Sequence, residues 1–124
     1  MRTSILFLLL VPAIAQADYD YVPIEVPGAQ NTWARGIDHA GRIVGSADYQ
    51  GFVLDGKFTP ILVPGTITEA YGIANGTVVG TCYDFRGRAH GFVFRGGAYM
   101  TMTDIRLQSV NDRGDLVGWV YNQR

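Results

Sequence analysis

A glycine-bounded phrase returns three times along this chain and limits what it can fold into. Its first copy is Ala34-Arg35-Gly36-Ile37-Asp38-His39-Ala40-Gly41-Arg42-Ile43-Val44-Gly45. The second is Ala70-Tyr71-Gly72-Ile73-Ala74-Asn75-Gly76-Thr77-Val78-Val79-Gly80. The third is Gln108-Ser109-Val110-Asn111-Asp112-Arg113-Gly114-Asp115-Leu116-Val117-Gly118. Self-similarity at a period of roughly 35–40 residues marks one supersecondary unit repeated in an array. Each copy closes on a glycine, at Gly45, Gly80 and Gly118, where a neighbouring backbone or ring can come close.

No segment carries a helical apolar period. Short runs rich in Val, Ile, Phe, Tyr and Thr alternate with Gly, Asn and Asp, which reads as short strands joined by tight turns. In the first unit, strands are expected over 33–38, 42–48, 51–54 and 57–63. Gly41 there completes a bulged hairpin, Asp55-Gly56 makes a two-residue turn, and Pro60 suits an edge strand. The second unit repeats the order over 69–74, 77–83, 89–94 and 98–103, with turns at Asn75-Gly76 and Gly96-Gly97. The third offers 106–111 and 115–121 around Asp112-Arg113-Gly114. Segment 20–28 aligns with 57–65 through a shared Pro-Ile and Val-Pro-Gly, and is expected as a fourth strand.

The units are therefore a fourth strand at 20–28, repeat one at 29–65, repeat two at 66–103 and a partial repeat three at 104–124, together one domain over 18–124. The fold class this predicts is all-β, with antiparallel four-stranded units like the blades of a β-propeller in an incomplete array. Alternation splits the second strands into Ile43, Gly45 and Ala47 against Val44 and Ser46, and Val78, Gly80 and Cys82 against Val79 and Thr81. The third unit divides Leu116, Gly118 and Val120 from Val117 and Trp119. Both faces carry apolar residues, as in a sheet covered on each side. A two-sheet sandwich is the alternative, and it more often leaves one polar face per strand. The segment 21–26 is expected to share a blade with 106–121, within one chain or between two copies, which makes a homo-oligomer an expected assembly.

The first residues read Met1-Arg2-Thr3-Ser4, then an apolar run, then Ala15-Gln16-Ala17. A basic start, a short apolar core and a small-residue site describe a secretory signal peptide over 1–17, cleaved before Asp18. The run is too short to span a bilayer, so no membrane association is expected after cleavage. Without Arg2 the chain holds nine basic against eleven acidic residues and no basic cluster, which argues against a nucleic-acid partner. Cys82 is the one cysteine, so no internal disulfide framework exists. Together these point to a secreted or periplasmic bacterial protein.

The pattern Gly-Ile-x-x-x-Gly-x-Ile/Val-Val-Gly, followed by His90-Gly91-Phe92 and an aromatic–Thr strand, resembles the HAF family of bacterial extracellular repeat proteins. In the first unit the motif stands as Gln50-Gly51-Phe52. The resemblance covers about 20–121 and implies an exported, propeller-like repeat protein with no catalytic residues to carry over. Absence of the histidine from the first unit argues against a shared catalytic or metal site.

Candidate chemistry is sparse. His39 is expected exposed in a hairpin turn, and His90 is expected to hydrogen-bond a neighbouring loop. No His/Cys spacing suits a metal, and no cofactor is implied. Cys82 reads as a small buried residue. Asp38, Asp48, Asp55, Asp84, Asn111 and Asp112 fall at turns, where such side chains bond their own backbone. Arg35, Tyr71 and Gln108 hold one place in the three first strands and vary, which makes them candidate binding residues; Trp33 and Trp119 are candidate aromatic platforms.

The functional expectation is a non-catalytic exported module that binds carbohydrate or protein. A fragment of a propeller-type hydrolase or lyase is the alternative, because fold does not dictate function. Two carboxylates, or a His–carboxylate pair, within hydrogen-bond reach in a pocket would favour that alternative. A truncated repeat paralogue without its own function is the third reading.

Overall fold

The computed structural model describes residues 18–120. The expected leader, 1–17, and Tyr121 at the end of the last expected strand lie outside them.

Ten strands follow in chain order. Strands β1 (Thr32–Ile37), β2 (Ile43–Ala47), β3 (Gln50–Leu54) and β4 (Phe58–Ile61) form sheet A. Sheet B is built of β5 (Ile67–Ala74), β6 (Thr77–Tyr83), β7 (Ala89–Arg95) and β8 (Ala98–Thr103). Strands β9 (Ile105–Val110) and β10 (Leu116–Val120) pair as sheet C. Every pairing is antiparallel between sequence neighbours, as tight turns dictate. Pro60 sits on β4, the edge of sheet A, where its missing N–H breaks no further ladder.

Most turns follow their residues, but Asp55-Gly56 does not close a two-residue hairpin, because Leu54 pairs with Phe58 and Lys57 joins the loop. Asn75 and Gly76 both take positive φ, 48° and 79°, the twist that a two-residue hairpin needs. Asp48, expected to bond its own turn, instead accepts the N–H groups of Gln30 and Asn31 from the segment before β1. Three longer turns share one design. Asp38 Oδ1 accepts the N–H groups of Ala40 and Arg42, Asp84 Oδ1 those of Arg86 and Arg88, and Asn111 Oδ1 those of Arg113 and Asp115. The glycine three residues on, Gly41, Gly87 or Gly114, closes each loop with its N–H on the carbonyl of that Asx residue.

Sheet B lies between the other two. Strand β5 packs on β1, β2 and β3, and β9 packs on β5, β6 and β7. The A–B interior holds Val44, Ile61, Ala70, Ile73, Val78, Cys82 and Phe92. The B–C interior holds Ala74, Val79, Leu107 and Val110. Val78 and Cys82 thus face sheet A while Val79 faces sheet C, as alternation along a doubly covered strand requires. The structure is three stacked sheets rather than a two-sheet sandwich, and the described residues form no closed propeller ring.

The segment 20–28, expected as a fourth strand, forms none. Tyr21 is 90% exposed, and the chain instead bends at Gly28 (φ 85°), with the Ala29 N–H on the Val26 carbonyl. In the shared blade this segment is expected to lie beside the last strand, yet among the described residues β10 pairs only with β9 and the segment adds to no sheet. In sheet A the outer edge of β3 is occupied by β4, and sheet C has no third strand among the described residues. The shared blade is therefore not formed within one chain.

Candidate functional site

The first strand of each sheet breaks register once. In sheet A the pairs Ala34–Gly45 and Gly36–Val44 leave Arg35 without an opposite residue. In sheet B the pairs Ala70–Gly80 and Gly72–Val79 leave out Tyr71. In sheet C the pairs Leu107–Gly118 and Ser109–Val117 leave out Gln108. Each is the extra residue of a β-bulge, a device that re-aims a side chain away from the ladder. The three candidate residues thus owe their shared place to a backbone irregularity.

The same bulge explains the closing glycines. A Cβ on Gly45, Gly80 or Gly118 would collide with the carbonyl oxygen of Trp33, Glu69 or Arg106 on the paired strand. The close neighbour lies within the sheet, not in the next one as an inter-sheet packing role would have it. Gly45 and Gly80 are buried, but Gly118 is exposed, so the glycine is needed with or without a covering sheet.

Arg35 stacks on Tyr71, its guanidinium carbon 4.7 Å from the ring centre, and reaches the half-exposed Trp33 ring at 5.9 Å. The Tyr71 hydroxyl donates to Glu69 Oε1 at 2.9 Å. Burial, reinforced by that hydrogen bond to a carboxylate, pushes the phenol up to about 12. Trp119 belongs to a second cluster. There Arg106 lies over Tyr83 at 5.2 Å and over Trp119 at 5.9 Å, and its Nη1 donates to the Tyr83 hydroxyl at 2.8 Å. The backbone of Gln108 backs onto Gly72. Of the five candidates, then, Trp33, Arg35 and Tyr71 share one stack, Gln108 holds the equivalent bulge of sheet C, and Trp119 lies in the other cluster.

Sequence reasoning missed Glu69, Tyr83 and Arg106. A signal existed: Trp33, Glu69 and Arg106 hold one register place, opposite Ser46, Thr81 and Trp119, and vary as freely as the bulge residues.

At the turn end of the first strands a cavity of about 420 Å³ opens. The equivalent residues Ile37, Ile73 and Val110 line it with Asp38, Ala74 and Asn111. His39 Nδ1 lies 3.3 Å from Asp112 Oδ2 on its rim, and Asn75 Nδ2 donates to the Asp112 carbonyl at 3.0 Å. Turns from all three sheets meet at Asp112. The His39 side chain is 88% exposed and that of Asp112 52%, so water screens the pair.

The motif His90-Gly91-Phe92 has structural work. His90 Nε2 contacts Asp84 Oδ2 at 2.9 Å and ties β7 to the preceding loop. That contact, with backbone N–H groups of Arg88 and Arg86, holds the Asp84 carboxyl below the usual range. Gly91 lets sheet C approach: a Cβ there would lie 3.1 Å from the Ile105 carbonyl oxygen and from Leu107 Cγ. Phe92 is fully buried across from Gly80, and Phe52 stands across from Gly45 in the same way. Cys82 is buried, and burial pushes its thiol up, away from the reactive thiolate.

Among the described residues no three His, Cys, Asp or Glu side chains gather as metal ligands. Comparison of the chain with protein-family models, with curated proteins and with solved structures finds no match.

Proposed function

We propose that this chain is an exported, non-catalytic repeat protein that binds carbohydrate through the bulge residues of its first strands. The repeat pattern that resembles HAF proteins and the leader-like start support export. One observation carries the binding assignment: Arg35, in the bulge of β1, stacks on Tyr71, in the bulge of β5, beside the half-exposed Trp33. An aromatic face beside a guanidinium whose N–H fork enters no ion pair among the described residues suits a sugar ring bearing a carboxylate. The turn carboxylates are committed elsewhere, Asp38 and Asp84 to backbone N–H groups of their own loops.

Titration with neutral and uronic-acid polysaccharides tests this. Arg35→Ala should weaken binding of the acidic polymer by about tenfold or more, the loss of a charged hydrogen bond. Trp119→Ala should leave it unchanged. Equal binding by wild type and Arg35→Ala rejects the reading, and capture of a protein ligand sensitive to Arg35→Ala moves it from sugar to protein.

The His39–Asp112 pair on the cavity rim favours a second reading, a hydrolase fragment in which Asp112 orients His39 as general base. Ester or glycoside hydrolysis that His39→Ala abolishes would establish it.

A further inference from the structure

Two sheet-on-sheet junctions lie within this chain, and one device makes both. At the A–B junction Gly36 backs onto sheet B: a Cβ there would sit 2.9 Å from the Tyr71 carbonyl oxygen. At the B–C junction a Cβ on Gly72 would sit 3.1 Å from Ser109 Cα. The two glycines hold the same register place, opposite Val44 and Val79. Ser46 and Thr81 share a second place, fully buried, with hydroxyls that find no hydrogen-bond partner. Burial of an unpaired hydroxyl costs free energy, so small volume is what this place demands.

Sheet C turns the corresponding face to solvent. Val117 repeats Val44 and Val79, but Ser109 replaces the glycine and Trp119 replaces the small hydroxyl residue. A sheet set on this face as C is set on B would meet the Ser109 Cβ where almost no gap exists. It would also meet an indole where Ser or Thr fits with 0–1% exposure. The other half of such a junction lies on the outer face of sheet A. Ala70, Ile73 and Val78 pack in the A–B interior, and their counterparts Ala34, Ile37 and Ile43 form a corner where Ala34 and Ile37 are exposed.

We propose that this corner of sheet A docks a β-sheet of the same repeat type from another protein. That sheet keeps glycine at the Gly36 place and Ser or Thr at the Ser46 place. Ser109 and Trp119 bar a second copy of this chain from taking that role face to face. Continuity with the two internal junctions argues the occupant: every such corner inside the chain is covered by a sheet of that composition. The claim stands on sheet packing and does not depend on the carbohydrate reading.

The double variant S109G/W119T supplies the missing face and serves as the probe. Its mass is measured by light scattering alone and mixed with wild type, with A34K as the blocked corner. The double variant should associate with wild type, and A34K should abolish that association, while wild type alone shows no A34K-sensitive association. Circular dichroism and urea titration establish that each variant is folded; if the double variant is not, S109G alone is used. A folded variant that gains no A34K-sensitive association overturns the proposal. So does wild type that already self-associates through Ala34.

Discussion

At the residue scale, the closing glycines answer to the bulge opposite them. Gly118 separates this cause from sheet burial, because it is exposed and yet a Cβ there meets the Arg106 carbonyl. Gly118→Ala should therefore destabilise the fold about as much as Gly80→Ala, each on the order of 3 kcal/mol by urea titration. Were the cover of a neighbouring sheet the cause, Gly118→Ala would be silent. Asp38 carries a second residue-scale prediction. Burial pulls its carboxyl upward, but the Arg42 backbone N–H and guanidinium, with the Ala40 N–H, outweigh that and hold it below the usual range. Its folded pKa lies below the unfolded value near 3.9, so its charge stabilises the fold at neutral pH, and that contribution is lost as pH falls through the folded value. Asp38→Asn keeps an oxygen for the loop N–H groups, as Asn111 shows in the third unit, and removes the charge. Stability measured from pH 6 down to about 2 should then fall less steeply in Asp38→Asn than in wild type.

At the scale of elements, β6 is the strand on which the stack depends. Val78 and Cys82 fill one interior and Val79 the other, so β6 is covered on both faces. Cys82 reports on that cover. Its thiol should resist an aromatic disulfide reagent in the native state and react fully in denaturant, and fast native labelling would show that the A–B junction opens. The strands were largely legible: β6 and β8 occupy the expected residues, and most others differ by one or two at an end, because apolar alternation and Asn-Gly or Gly-Gly turns act locally. The segment 20–28 was misread because its likeness to 57–65 is real at the level of side chains, while a strand is made by a partner. That partner edge is a tertiary fact.

For the whole molecule, sheet C is held by few buried side chains, with Leu107 and Val110 seated on Val79 and Ala74. Leu107→Ala should cost about 2–4 kcal/mol. If the three sheets fold as one unit, that loss appears as a shift of a single urea transition; a separate early transition would show that sheet C opens alone. The turns meeting at Asp112 bind the sheets more weakly, since exposed pairs such as His39–Asp112 contribute little.

The repeat, the strand order within each sheet, the two apolar faces of the second strands and the Asx turns at Asp38, Asp84 and Asn111 follow from sequence alone, since each rests on contacts a few residues apart. The Arg35–Tyr71 stack, the separation of Trp119 from it, and the cavity between Ile37, Ile73 and Val110 do not. They depend on how far each bulge turns a side chain and on how closely Gly36 and Gly72 let successive sheets approach, and those are distances between residues far apart in the chain. A periodic sequence specifies the unit through local chemistry; the angle at which units stack, and so what their first strands bring together, is decided only when their faces pack.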